Sequence, residues 1–299
     1  MYESHFGFER SPFNNTPDTS FYFPSERHNE ALAQLLYTVT ARKGFAVVTG
    51  EIGAGKTTLC RALFRQLDEE ETVTALITNP RLTGIQLLYA VAREFGLDVE
   101  GKHRVGILDA INDFLIRMLG QDKNVVLIID EAQNLPLSTM EEVRLISNLE
   151  TETEKLIQIL LLGQPELKEK IQHRSLKQLR QRIAMRYHLE ALDVTETLQY
   201  IKHRMKIAGP HHIVRFSNRA LPMVHRYSGG IPRLINLVCD RALITAYAEN
   251  DARITSRVVM AAIREIEGPD WTFKRAQADA KDEEKRTFLR LPFFSSRDR

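Results

Sequence analysis

Gly50-Glu51-Ile52-Gly53-Ala54-Gly55-Lys56-Thr57 is the stretch whose reading decides the fold. It fits the phosphate-cradling pattern G-x-x-x-x-G-K-[ST], and it stands between the apolar run Phe45 to Thr49 and a helical pattern carrying Leu59, Leu63 and Leu67. Strand, glycine loop and helix in that order make the match specific. The glycines let backbone N–H groups turn towards phosphates, the helix N-terminus adds a favourable dipole, and Lys56 supplies a point charge for the β and γ phosphates of ATP. Thr57 offers its hydroxyl to Mg²⁺. Thr58 closes the nucleotide-binding segment, where packing or capping competes with a ligand role.

Such a loop calls for a second signal, an apolar strand ending in a carboxylate that holds Mg²⁺. Val125-Val126-Leu127-Ile128-Ile129-Asp130-Glu131 supplies it. Asp130 is assigned to the metal shell, and Glu131 to orienting or deprotonating the attacking water. Two acids at a strand end are by themselves an ordinary solvated exit, and it is the pairing with the loop that gives them chemistry. An acid in the Glu131 position favours hydrolysis over slow switching.

Outward from these motifs, apolar runs alternate with helix-length segments. Glu26 to Arg42 has a helical period, Val73 to Thr78 and Leu156 to Leu162 read as strands, and Thr83 to Phe95 and Arg104 to Leu119 read as helices. Ser138 to Glu141 fits a capping box opening a further helix. Val125 to Ile129 shows no alternation, which suits a strand covered on both faces. The expectation is an α/β fold with a parallel sheet covered by helices and joined by right-handed crossovers. From Asp193 the periodic segments turn helical, with starts expected at Asp193, Ser217, Pro232 and Thr255. The expected organisation is an aromatic and proline-rich arm at 1–25, a nucleotide-binding core at 26–191, a small all-α lid at 192–268 and a charged tail at 269–299, read as flexible against the alternative of a docking segment.

Composition narrows the classes further. The 41 Lys and Arg against 39 Asp and Glu leave a net charge of +2, so any nucleic-acid or lipid partner must use a local patch. Cys60 and Cys239 have no metal-ligand spacing and fit a reducing compartment as buried apolar side chains. The opening residues carry Glu3, His5, Glu9 and Arg10, unlike a signal peptide, and the longest apolar runs fall far short of the roughly 20 residues that span a bilayer. A cytoplasmic protein, at most peripheral at the inner membrane, is expected.

The chain resembles AAA+ ATPases, and within them the bacterial general secretion pathway A proteins and the MSHA-type pilus biogenesis ATPases. The likeness runs over roughly 1–268. It is carried by His5-Phe6-Gly7-Phe8, Ser11-Pro12-Phe13, the glycine loop, Asp130-Glu131-Ala132-Gln133, Leu149-Glu150-Thr151, Gly163-Gln164-Pro165-Glu166-Leu167, Leu179-Arg180-Gln181-Arg182-Ile183 and Gly230-Ile231-Pro232-Arg233-Leu234-Ile235-Asn236. The resemblance implies an AAA+ fold with a helical lid, and an ATPase that drives or regulates assembly of an envelope machine, in type II secretion, a type IV or MSHA-like pilus, or exopolysaccharide export. It implies Gln164 as a sensor of the γ-phosphate, against a plain turn residue before Pro165. It implies Arg233 as the second sensor, donating to the phosphates from the lid. Among Arg180, Arg182 and Arg186, Arg182 stands where a trans-acting arginine finger completes a neighbour's site in a homo-oligomer, against the alternative of a solvated basic face. Phe13 is one candidate wall for the adenine, core packing being the competing role. Secretion-type relatives continue into a transmembrane helix and a periplasmic domain, which this sequence lacks, favouring the shorter pilus-type members.

Two other functions compete. The basic run Lys168 to Arg186, with Arg215 to Arg226, suits a DNA-associated AAA+ regulator. A nucleotide-controlled scaffold without appreciable hydrolysis would share the fold.

Overall fold

A computed structural model describes residues 1–273 other than 17, 79 and 153. The chain falls into two compact units. One comprises Asn15–Glu196 with Ile231–Arg233; the other takes in Met1–Asn14, Thr197–Gly230 and the residues from Leu234. The boundary thus divides the aromatic arm, giving its first fourteen residues to the helical unit. Most of the charged tail lies outside the described residues.

The sheet unit holds five parallel strands, β1 (Phe45–Gly50), β2 (Thr72–Ile77), β3 (Asn124–Ile129), β4 (Gln158–Gly163) and β5 (Met185–Leu189), in the order β2-β3-β4-β1-β5. The three central strands are buried almost throughout, as their unbroken apolar runs require. Strand alternation splits their side chains cleanly between two layers. Phe45, Val47, Leu127, Ile129, Ile159 and Leu161 pack in the cluster that takes in helices α4 (Gly84–Glu94), α5 (Arg104–Gly120) and α6 (Leu137–Ile146). Ala46, Val48, Val126, Ile128, Leu160 and Leu162 pack on the other face with α2 (Glu26–Thr40) and α3 (Lys56–Phe64). All five strands therefore point the same way, and the loops that follow β1, β3 and β4 emerge side by side at one end of the sheet.

Helix starts follow the sequence at some points and depart from it at others. Thr83 caps α4 through a complete capping box with Gln86. The box expected at Ser138 and Glu141 is not formed. Leu137 already begins α6 behind Pro136, so Ser138 lies inside the helix and Glu141 pairs with Arg144 instead. The basic stretch from Lys168 breaks into α7 (Glu166–Gln172), a 3₁₀ turn and α8 (Lys177–Arg182), and Arg186 lies in the edge strand β5. That strand, Met-Arg-Tyr-His-Leu, has no apolar run, because its Arg186 and His188 are exposed.

In the helical unit, α9 (Val194–Ala208) opens on a reciprocal Asp193–Glu196 box formed within the sheet unit. It is followed by α10 (Ala220–Ser228), α11 (Pro232–Ala248) and α12 (Ser256–Glu267), the last capped by Thr255. Ser217 does not start a helix; its N–H joins the ribbon of two-residue strands that the helical periodicity hides, Arg215–Phe216 beside Arg253–Ile254. The short helix α1 (Tyr2–Phe6) belongs to this unit. Its Tyr2 hydroxyl donates to Asp240, and Arg204, buried among α9 and α11 residues, donates to the carbonyls of Pro12 and Asn14. Phe13 is buried within this strapping segment. Both cysteines are buried, and burial pushes the Cys60 thiol up to about 12.

Candidate functional site

The glycine loop leaves β1 at Gly50 and enters α3 at Lys56. Gly53 has φ +82°, and a β-carbon there would lie 2.5 Å from the β-carbon of Arg233, so no larger residue fits without displacing the start of α11. Arg233 donates its backbone N–H to the Gly53 carbonyl at 3.3 Å. Its side chain is exposed. The structure thus brings the lid-derived arginine of the sequence reading against the loop itself.

The Lys56 side chain is buried, and its ammonium donates to the carbonyls of Gly50 at 2.7 Å and Glu51 at 2.9 Å. Burial pulls its pKa down, while the charges of Glu131, Asp130 and Glu51 pull it back up. Behind the loop, His28 receives the Ser25 hydroxyl on one ring nitrogen and faces the Ala54 carbonyl with the other at 3.2 Å. A neutral imidazole satisfies both contacts only if the proton sits on Nε2. Burial lowers the His28 pKa, in keeping with that neutral form. Sequence reasoning missed His28, and nothing in its neighbourhood along the chain marks it out.

Asp130, 6% exposed, follows β3, and the Thr57 hydroxyl donates to its Oδ2 at 2.7 Å. Two hard oxygen ligands on converging elements suit Mg²⁺, which accepts one or two protein oxygens and completes its shell with water and phosphate oxygens. Among the described residues no group of three or more His, Cys, Asp or Glu side chains gathers as an all-protein metal cage.

Glu131 comes next, with left-handed backbone at φ 53° and ψ 35°, a sparsely populated region for a residue with a side chain. Its Oε2 accepts from the carboxamides of Gln133 and of Gln164, the latter at 3.1 Å. Gln164, expected to face phosphate, therefore faces Glu131 here. Gln133 was no candidate from sequence, since its partners Glu131 and Gln164 meet only once β3 and β4 pair.

Arg182 lies elsewhere. Ala184, two residues on, bonds to the Phe45 carbonyl, which fixes this segment at the amino end of β1. The loop sits at the carboxyl end of that strand, about 17 Å away at the usual rise per residue. Arg182 donates to the Ser147 carbonyl at 3.0 Å, is 3.7 Å from Glu150, and with Lys43, Arg144 and Lys155 lines a cavity of about 570 Å³. That cavity is distant from the glycine loop. Arg180 donates to Gln172 and Arg186 to the Arg180 carbonyl, and Lys170 to the carbonyls of Gln133 and Leu135. Several donors of the basic run are thus engaged within the chain, while Lys168, Arg174 and Lys177 are exposed. Among the described residues no helix is long and apolar enough to cross a membrane.

Comparison with known proteins agrees with this geometry. Residues 39–171 match the family model described as an AAA domain. General secretion pathway protein A of Aeromonas hydrophila is 43% identical over 269 residues, which cover 90% of this chain and 49% of that protein. The chain thus spans about half the length of this curated relative. Among solved structures, the ORC2 protein of Aeropyrum pernix in its ADPNP-ADP complexes superposes with a TM-score of 0.65 at 18% identity, covering 86% of this chain and 72% of that one. Cdc6p from Pyrobaculum aerophilum gives 0.65 at 18%, covering 83% and 71%. At such identities these structures speak for the fold alone. The glycine loop on its parallel sheet, the acidic end of β3, the matching AAA domain and the likeness to a secretion protein over nine-tenths of the sequence together give the chain an AAA+ P-loop fold, with general secretion pathway protein A as a protein it is similar to.

Proposed function

We propose that this chain is a Mg²⁺-dependent ATPase acting as a homo-oligomer, and that its turnover drives or regulates assembly of a bacterial envelope machine. The observation that carries the hydrolytic reading is the Glu131 carboxylate, held beside the Thr57–Asp130 pair with one oxygen tied to two carboxamides and the other free of them.

ATP enters with its phosphates against the backbone N–H groups of Gly53 to Lys56. Lys56 exchanges its carbonyl partners for β- and γ-phosphate oxygens, a trade that needs no new charge in the site. Thr57 and Asp130 would hold Mg²⁺, which would supply charge neutralisation at the phosphates. Glu131 orients the attacking water and takes its proton through the free oxygen. Arg233, touching the loop at Gly53, donates to phosphate and couples nucleotide to the helical unit. Gln164 donates to Glu131 and follows Gly163, which pairs with Thr49 just before the loop, and this placement supports its sensor role.

Arg182 acts in a neighbour. A full strand length separates it from its own loop, so only a second subunit can present it to the γ-phosphate. The envelope role rests on the likeness to general secretion pathway protein A. Whether the machine is a secretion channel, a type IV or MSHA-like pilus, or a polysaccharide exporter is a matter of the partner recruited, at the inner membrane in each case.

The decisive experiment replaces Glu131 with Gln. Turnover is expected to fall by about two orders of magnitude or more while ATP binding, followed by calorimetry, persists. Unchanged turnover would remove Glu131 from this role and favour a scaffold controlled by binding alone.

A further inference from the structure

We infer that Gln133 is a positioning residue for Glu131, selecting which carboxylate oxygen is left to meet water. The inference deepens the hydrolytic role proposed above and rests on it.

Two hydrogen bonds fix the Gln133 side chain, and a third contact pins the main chain that carries it. Its Oε1 accepts the backbone N–H of Gln164 at 3.0 Å. A main-chain N–H can only donate, so the carboxamide must turn its oxygen towards β4 and its NH₂ towards Glu131, whose ionised carboxylate can only accept. The orientation is therefore dictated from both sides. Gly163 makes room for it, since a β-carbon there would stand 2.9 Å from the Gln133 Oε1 and 2.7 Å from Leu167 Cδ2. Finally, Lys170 on α7 donates to the carbonyls of Gln133 and Leu135, pinning the 3₁₀ turn Ala132–Asn134 that carries the residue. Burial lowers the Lys170 pKa, the cost of placing an ammonium there.

The consequence is chemical. Glu131 sits on left-handed backbone, a sparsely populated conformation that its surroundings must hold in place. With Oε2 occupied by the amides of Gln133 and Gln164, rotation about the last torsion is arrested and Oε1 remains the oxygen available to a water. Gln164 is the donor expected to leave for the γ-phosphate when ATP binds. Gln133, tied to β4 through the Gln164 N–H and to α7 through Lys170, is the donor that stays. It would hold the carboxylate through the reaction without touching substrate.

The test uses the full chain. Gln133→Met keeps the side-chain length and removes donor and acceptor. Its single-turnover rate is expected to fall roughly tenfold, the worth of one hydrogen bond to a charged group, with KM and ATP affinity unchanged. In the Glu131→Gln background the same substitution should cause no further loss, because its effect runs through the carboxylate. An equal loss in both backgrounds, or none in either, overturns the inference. Should Gln133→Met fold poorly, Gln133→Glu keeps the acceptor for the Gln164 N–H, removes the donor, and should lose at least as much rate. A readout free of turnover is the side-chain amide NMR signal of Gln133 in nucleotide-free protein, which Glu131→Ala should displace. An undisplaced signal means the contact does not exist. A displaced signal in a protein whose turnover ignores Glu131→Gln would instead leave the contact standing and sink the hydrolytic role.

Discussion

At the carboxyl end of the sheet, Lys56, Thr57, Asp130, Glu131, Gln133 and Gln164 are tied to one another or to the loop, partly buried, and dominated by acid. At the amino end, Arg144, Lys155 and Arg182 line an open cavity, each beside a glutamate, with side chains 19 to 36% exposed. The first end is finished by contacts within the chain. The second presents cations that its own loop cannot use, one strand length away. The difference is what the proposed trans arrangement needs, in which the amino end of one copy meets the carboxyl end of the next.

The largest effect should come from breaking that meeting. Arg182→Ala is expected to lower turnover by about 10³-fold in the assembled state and to leave ATP affinity nearly unchanged. Mixing this variant with Glu131→Gln should restore part of the activity, since some junctions then combine an intact acid with an intact arginine. Absence of recovery at any mixing ratio would show that the two ends do not complete each other.

A smaller effect probes the tightness of the carboxyl end alone. Gly53→Ala places a β-carbon against Arg233 on backbone at φ +82°, and either the loop or the start of α11 must move. ATP affinity by calorimetry should drop roughly tenfold, at a strain of about 1–2 kcal/mol. No change would mean that the loop and Arg233 are not in register as the geometry has them.

The carboxyl end was also the more legible in sequence, for a physical reason. Its loop and acid pair are contiguous along the chain, and their strands are buried on both faces, so glycine pattern and unbroken apolar runs declare them. The Gln133–Gln164 bond joins residues 31 apart, and His28 reaches Ala54 across 26, so only strand pairing and helix packing bring them together. The edge strand β5 hid because its exposed Arg186 and His188 interrupt any apolar run. Capping shows the limit of local pattern: Thr83 and Gln86 form their box, whereas α6 starts at Leu137, one residue ahead of Ser138, with Pro136 in the cap position. Thr83→Ala should therefore cost about 1 kcal/mol in chemical denaturation, and Ser138→Ala less than about 0.5. Equal costs would place a functional cap at Ser138 after all.

The smallest effect belongs to the amino end, where the contrast is sharpest. Glu150 pairs with Lys155 and lies 3.7 Å from Arg182, with the three side chains 30 to 37% exposed. Burial first and the Arg182 charge second lower the Lys155 pKa, so the acid sits between two cations that repel. Solvent screens such a cluster, and Glu150→Gln should change stability by less than about 1 kcal/mol. Lys56 offers the opposite case, 5% exposed and bonded to two carbonyls, where solvent offers no such relief. If Glu150→Gln instead cost several kcal/mol, the amino end would be knit into the fold as firmly as the other, and its arginine could not be spared for a neighbour. A near-neutral result leaves Arg182 restrained by little more than the Ser147 carbonyl, a hold that a γ-phosphate can outbid because its charge is met by a charged donor.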